Sequence, residues 1–205
     1  MIVIVDYGLG NLGSVKNMLK HIGFDSVITS DQQLIQSATK LILPGVGAFD
    51  QGMKNLEERG LIPLLNKKVL EEKTPILGIC LGMQLFTNKS EEGTLKGLSW
   101  VDAETIKFDS TKAEKKFPIP HMGWVYVSEK GNSPLLKDMY EDPKFYFVHS
   151  YYVKCNDPDE VILTSDYIHE FDSGFQKGNI LGVQFHPEKS HKYGMKLLTN
   201  FMTNF

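Results

Sequence analysis

Cysteine is scarce in this chain. Only two occur among 205 residues, Cys80 and Cys155. They could form one disulfide at most, nothing in their setting suggests it, and a reducing, cytoplasmic compartment fits better. Positive charge is not in excess: 22 lysines and arginines face 25 aspartates and glutamates, a net charge of −3. That argues against a nucleic-acid partner. Long apolar runs are missing, so no membrane span is expected. The opening MIVIVDYG meets Asp6 at once and lacks a basic leader, so it reads as a strand and not a signal peptide. No histidine pair has metal-ligand spacing such as H-E-x-x-H, and no metal is expected. Repeats, low-complexity tracts and linkers are absent too, which favours a single domain over 1–205. The lysine-rich TKAEKKF (111–117) contains Glu114 and reads as a solvated loop.

Short apolar runs alternate with amphipathic stretches. IVIVD (2–6), SVITS (26–30), KLILP (40–44) and TPILGI (74–79) read as strands. SVKNMLKHIG (14–23) has apolar residues at helical spacing and a stopping glycine. Residues 49–72 read as helical, broken near Gly60 and Pro63. This alternation predicts a parallel sheet with helices on both faces. The second half differs: SWVDAETIKF, FPIPHMGWVYV, KFYFVHSYYV and NILGVQF are β-branched, aromatic and closely spaced. They predict antiparallel additions, and EKSHKYGMKLLTNFM closes the chain as a helix.

Two glycine-rich turns raise functional questions. GLGNLG (8–13) matches G-x-G-x-x-G between a strand and a helix, with Asp31 after the second strand. Such a loop can cradle a pyrophosphate at a helix N-terminus; it can equally just turn a strand tightly into a helix. GICLG (78–82) has the form G-x-C-x-G, the cysteine counterpart of a nucleophile elbow. An elbow exposes its thiol at a helix N-terminus, a setting that favours thiolate, and directs the next N–H toward a developing oxyanion. A structural cysteine is the plain alternative. Cys155, in YYVKCNDPDE, has none of these features and reads as structural.

A nucleophilic thiol needs a base. His21, His169 and His191 lack supporting context. His121 and His149 border strands and read as core or interface residues. His186 lies in GVQFHPEKS, where a strand ends at His-Pro-Glu. Pro187 stops further pairing, and strand alternation would put His186 and Glu188 on one side. A carboxylate there would set the imidazole tautomer. A second oxyanion donor could come from PGVGAF (44–49), whose glycines let a peptide plane turn.

GICLGMQ, GVQFHPEKS and PGVGAF together resemble the class I, triad-type glutamine amidotransferases. The opening DYGLGNLGSV, with PGVGAF, IPHMGW and YFVHSYY, is similar more narrowly to the HisH branch, the glutaminase subunits of imidazole glycerol phosphate synthase. The resemblance runs from residue 3 to the C-terminal helix. It implies an α/β fold with a mostly parallel central sheet flanked by helices and an additional smaller antiparallel sheet. It implies Cys80 as nucleophile, His186 as acid/base and Glu188 as its orienting carboxylate. Gly45, Val46, Gly47 and Leu81 would supply the oxyanion site, and Gln84, Ser150 and Tyr151 would hold glutamine. No cofactor is implied. The implied partner is a HisF-type (β/α)8 barrel that receives the ammonia in histidine biosynthesis, making imidazole glycerol phosphate and an aminoimidazole carboxamide ribotide. GLGNLG would then belong to the partner-facing surface, with Asn11, His121, Trp124, Tyr146 and Lys189 near that contact.

Three segments depart from the branch pattern. Val125 stands where an asparagine is expected after Gly123 and Trp124. GLSWVDAETIKF lacks the usual Gly-Leu-Ile-Pro-Gly run, and HKYGMKLL replaces a Ser/Gly/Ala-rich helix start. They leave open a paralogue that feeds another synthetase, such as one converting an acetamido sugar to an acetamidino sugar. A dinucleotide binder and a noncatalytic regulatory subunit also stay open.

Overall fold

The computed structural model describes residues 1–112 and 117–205, so the centre of the TKAEKKF loop lies outside the described residues. The first half builds a wound parallel sheet. β1 (Ile2–Val5) is followed by α1 (Leu12–His21), β2 (Ser26–Thr29), α2 (Gln32–Gln36) and β3 (Lys40–Gly45). α3 (Phe49–Glu58) and α4 (Leu61–Asn66) then lead to β4 (Ile76–Cys80) and the short α5 (Leu81–Leu85). The second half adds β5 (Lys89–Ser90), β6 (Ala103–Lys107), β7 (His121–Tyr126), β8 (Ser128–Glu129), β9 (Lys144–His149) and β10 (Tyr151–Cys155). β11 (Val161–Asp166), β12 (Glu170–Lys177), β13 (Ile180–Val183) and α6 (His191–Asn204) close the chain.

The main sheet runs β2-β1-β3-β4-β13-β12-β10-β6-β5, with β11 bridging β12 and β8. The pairs from β2 through β13 are parallel, and β12 returns antiparallel. β7 and β9 form a separate antiparallel ribbon. Side-chain alternation splits the core in two. Val3, Val5, Leu41 and Leu43 join one apolar cluster with α3 and α5, while Ile4 and Ile42 join the other with α1 and α6. α6 offers Gly194, Leu197, Leu198 and Phe201 to that second cluster's side, the i, i+3, i+4, i+7 stripe of a core-facing helix.

Several boundaries differ from the sequence reading, each for a physical reason. The helix break at Gly60 is real, since Gly60 sits at φ 64. Pro63 breaks nothing, because it falls in the first turn of α4, where no intrahelical N–H bond is lost. KFYFVHSYYV is not one strand: it divides at Ser150, sending β9 to the ribbon and β10 to the main sheet. The strand in NILGVQF ends at Val183, with one further bond from Gln184 N–H to Ser173 O at 2.9 Å. Asp31 has a structural role of its own: its carboxylate caps α2, accepting from the N–H groups of Gln33 and Leu34 at 2.9 Å each.

Candidate active site

Cys80 is the hinge between β4 and α5. Its backbone stands at φ 55, ψ −111, a conformation that costs a non-glycine residue about 1–3 kcal/mol. Along β4, Ile76 faces the first cluster; alternation would send Cys80 there too, yet its thiol packs in the second. The flanking glycines make the turn possible by sparing space. A Cβ on Gly82 would overlap the Leu43 carbonyl, and one on Gly78 would meet Gly82 C and Met83 N at 2.8 Å. Gly82 lets α5 cross β3 at contact, and Gly78 lets the same helix lie back over β4.

His186 reaches this thiol from the loop after β13. The expected strand geometry is replaced by a 3-10 turn over Pro187–Lys189. That turn folds Glu188 back onto the ring, with Oε1 2.8 Å from His186 Nδ1 and both side chains only 2% exposed. Pro187 presets the turn's φ and gives up an N–H that would be orphaned anyway. The ribbon anchors the turn: His186 N–H donates to Tyr146 O at 2.9 Å, and Tyr146 N–H to Ser190 Oγ at 3.0 Å. The other ring nitrogen, Nε2, is buried without a protein partner in hydrogen-bonding geometry. Burial pushes the His186 imidazole down, but the Cys80 thiol and Glu188 together outweigh it and hold the pKa up near about 10. With Nδ1 held by Glu188, Nε2 is the ring nitrogen left to face the nucleophile.

A cavity of about 350 Å³ opens over the thiol, lined by Val46, Gly47, Cys80, Leu81, Gln84, Glu92, Pro120 and the 148–151 segment. Six of the seven residues expected to bind substrate line it: Val46, Gly47, Leu81, Gln84, Ser150 and Tyr151. Gly45 does not; it ends β3, paired with Cys80. Gly47 stands at φ 120, which only glycine adopts without strain. Gln84 serves the site through protein groups, donating to Tyr151 O at 3.2 Å and Gln184 Oε1 at 3.0 Å. Gln184 in turn aims its amide N–H at Cys80 Sγ, 3.7 Å away.

Sequence reading missed Gln184, Glu92 and Tyr7. Gln184 lay in plain view in GVQFHPEKS, two residues before the histidine. Glu92 gave no signal, because only folding carries it to the cavity: Asp50 of α3 accepts from Thr94 and Leu95 N–H, and Glu92 Oε2 takes Phe49 N–H at 2.9 Å. Those backbone donors hold the Asp50 carboxyl below its ordinary range.

The residues expected at a partner surface divide. Trp124, Tyr146 and Lys189 form one surface group: Trp124 meets Tyr146 edge-on at 6.2 Å, and Lys189 Nζ lies 5.6 Å from the Tyr146 ring. His191, given no role by the sequence, stacks on Trp124 at 5.4 Å. Asn11 is exposed at the start of α1, which packs on the Pro187–Lys189 turn. His121 is a correction. It is 1% exposed, because its ring points inward from β7 to meet His149, and it cannot present itself to a partner. The GLGNLG loop packs on the oxyanion segment: a Cβ on Gly10 would crowd Pro44 O at 3.1 Å, and Gly47 faces Leu9. This close approach accounts for Gly10, while Gly8, at φ 87, faces the side chains of Arg59 and Asn55 and a Cβ on Gly13 would meet open space.

The sequence profile of the family described as Glutamine amidotransferase class-I matches residues 3–205. The chain belongs to that family. Within it the resemblance is to HisH. The chain is 60% identical to imidazole glycerol phosphate synthase subunit HisH 2 of Methanococcus maripaludis, with 98% of each chain covered. It is 45% identical to the HisH 2 of Pseudomonas aeruginosa, again over 98% of each. Solved structures share the fold at lower identity. PurLQS from Thermotoga maritima superposes with a TM-score of 0.74 at 18% identity, covering 99% of this chain and 97% of that one. A putative GMP synthase protein from Thermoplasma acidophilum gives 0.71 at 22%, covering 98% and 91%. As a member of this family the chain is a glutamine amidotransferase, an enzyme.

Proposed function

We propose that this chain hydrolyses glutamine through Cys80, His186 and Glu188, and passes the ammonia to a HisF-type barrel that makes imidazole glycerol phosphate. The observation that carries the reading is His186, set between Glu188 at 2.8 Å and the Cys80 thiol in a buried site. Cys80 Sγ attacks the side-chain amide carbon of glutamine. The C–S bond forms as the carbonyl π pair moves to oxygen, which rests on N–H groups of Leu81 and the Val46–Gly47 segment. His186 gives its proton to the departing nitrogen, the C–N bond breaks, and ammonia leaves a thioester. His186, now neutral, takes a proton from water, whose oxygen attacks the thioester; the thiolate departs and glutamate is released. Glu188 keeps the ring in the tautomer that serves both transfers. Glu92, an exposed carboxylate at the cavity rim, receives the α-ammonium of the substrate. No cofactor takes part.

The test is glutamate release with and without a HisF-type barrel and its acceptor. Cys80→Ala should abolish glutamine-dependent synthesis and leave ammonia-dependent synthesis by the barrel intact. The free chain should be slow, because the glycines on either side of Val46 give this segment the freedom to hold its N–H groups turned away until the partner binds; equal rates with and without the partner would count against this. A second reading keeps the same glutaminase and changes the acceptor to a sugar-amidinating synthetase. Its support is the segment GLSWVDAETIKF, which departs from the branch pattern. Val125 does not bear on it, because it is half-buried on the inward face of β7 and packs against the second apolar cluster.

A further inference from the structure

Tyr7 plays no part in these steps, yet it is the most conspicuous unused polar group near them. It follows β1, is fully buried, and among the described residues its hydroxyl has no hydrogen-bond partner. The hydroxyl lies against the α-carbon of Gly45, at the place a Cβ would occupy. The backbone there is fixed, because Asn55 Nδ2 donates to Tyr7 O at 2.9 Å. Burial, with a smaller push from Cys80, drives the phenol well above its ordinary pKa, so the group is always a donor. A buried donor left unpaired is costly, and a phenylalanine of the same outline would avoid the cost. Tyrosine makes sense if a second state of the site supplies an acceptor.

We infer that Tyr7 is a positioning residue for the oxyanion segment, its hydroxyl donating to the Gly45 carbonyl once the Gly45–Val46 peptide has turned its N–H toward Cys80. The C=O and N–H of one peptide plane point in opposite directions. Tyr7 and Cys80 belong to different apolar clusters, one on each side of the sheet that Gly45 ends. A turn that brings the Val46 N–H to the thiol side swings the Gly45 carbonyl to the tyrosine side. Gly45 has no Cβ to obstruct the swing, and Tyr7 occupies the space so released. The bond exists only in the turned state, so it favours the geometry that binds the tetrahedral oxyanion and does nothing for substrate binding.

This inference rests on the glutaminase reading, and Tyr7→Phe tests it in the full chain assembled with its barrel partner. The expected result is a kcat for glutamate release lower by about tenfold with KM changed less than about twofold. Glutamate γ-semialdehyde gives a second readout: Cys80 adds to its carbonyl carbon and forms an oxyanion without a leaving group. Inhibition by it should weaken by about the same factor as kcat. Alkylation of Cys80 by iodoacetamide should keep its rate, and the melting temperature should hold or rise. Wild-type kcat and semialdehyde inhibition in the variant would overturn the inference. So would an equal loss of kcat and alkylation, which would place Tyr7 in support of the elbow instead. A wild-type complex that releases no glutamate removes the glutaminase reading itself, a result distinct from either.

Discussion

His121 Nδ1 lies 2.9 Å from His149 Nε2 in the interior between the ribbon and the main sheet. His149 Nδ1 is 2.7 Å from Tyr151 O, a carbonyl that can only accept. The tautomers follow in order: His149 carries its proton on Nδ1, so its Nε2 accepts, so His121 donates from Nδ1. Both rings are neutral. Burial lowers the His121 pKa to about 4 and, outweighing the bond to Tyr151 O, that of His149 to about 3. Below a pH of about 6.5 the unfolded chain takes up protons that the folded one refuses. Stability is therefore present above that pH and lost as pH falls toward about 4. The melting temperature should drop on acidification from neutral pH, and drop less steeply in His121→Gln. A flat wild-type profile would contradict the neutral pair.

His186 predicts the opposite arm. Its pKa is raised to about 10, so the folded state holds a proton that the unfolded state releases near the ordinary histidine value of 6.5. Its contribution is complete below that lower value and disappears as pH rises toward about 10. Wild-type protein should lose stability across that window, and His186→Ala should lose less. Identical alkaline profiles would show that the thiol and Glu188 do not hold the proton.

The two cysteines should separate cleanly. A chloroketone analogue of glutamine should label Cys80 and spare Cys155, read by peptide mapping. Cys155 is half-buried, and burial together with Asp172 and its acidic neighbours pushes its thiol far above the ordinary range. A thiol kept protonated is a poor nucleophile. Dominant labelling of Cys155 would reverse the assignment of the nucleophile.

Glu92→Gln should raise KM for glutamine by about tenfold with kcat little changed, the loss of one charge-assisted bond at an exposed rim. Steady-state kinetics with glutamine decides it. A fall in kcat at constant KM would make Glu92 a support for the oxyanion segment through Phe49 N–H.

These site residues differ in how far the sequence exposed them. Cys80, His186 and Glu188 were legible because each sits in a short motif whose glycine or proline dictates a turn. The local form of the His-Pro-Glu turn was not, since a 3-10 turn and an extended strand end both bring residues i and i+2 near one another here. The parallel half of the sheet was legible from buried β-branched runs. The division of KFYFVHSYYV at Ser150 was not, because two consecutive strands in different sheets read as one continuous alternation. His121 misled for the same reason: its motif lies at an exposed ribbon, but the alternation along β7 turns its own ring inward. Glu92 and Tyr7 depend on tertiary approach alone, and no local pattern marks them.

The partner surface and the acceptor can be tested together. Trp124, Tyr146, Lys189 and His191 form one aromatic and basic group next to the turn that carries His186. Trp124 is 42% exposed even with His191 stacked on it, a large apolar surface left to solvent. Trp124→Ala should leave the free chain folded and weaken its association with the barrel by about ten- to a hundredfold, as loss of an aromatic anchor does. Glutaminase stimulation by the barrel should fall in step with association. Unchanged affinity would move the contact elsewhere on the chain. The acceptor follows from complementation: a strain lacking its histidine-pathway glutaminase, kept at low ammonium, should grow without histidine when this chain and its own barrel are co-expressed. Failure with a soluble, assembled complex would favour the sugar-amidinating paralogue.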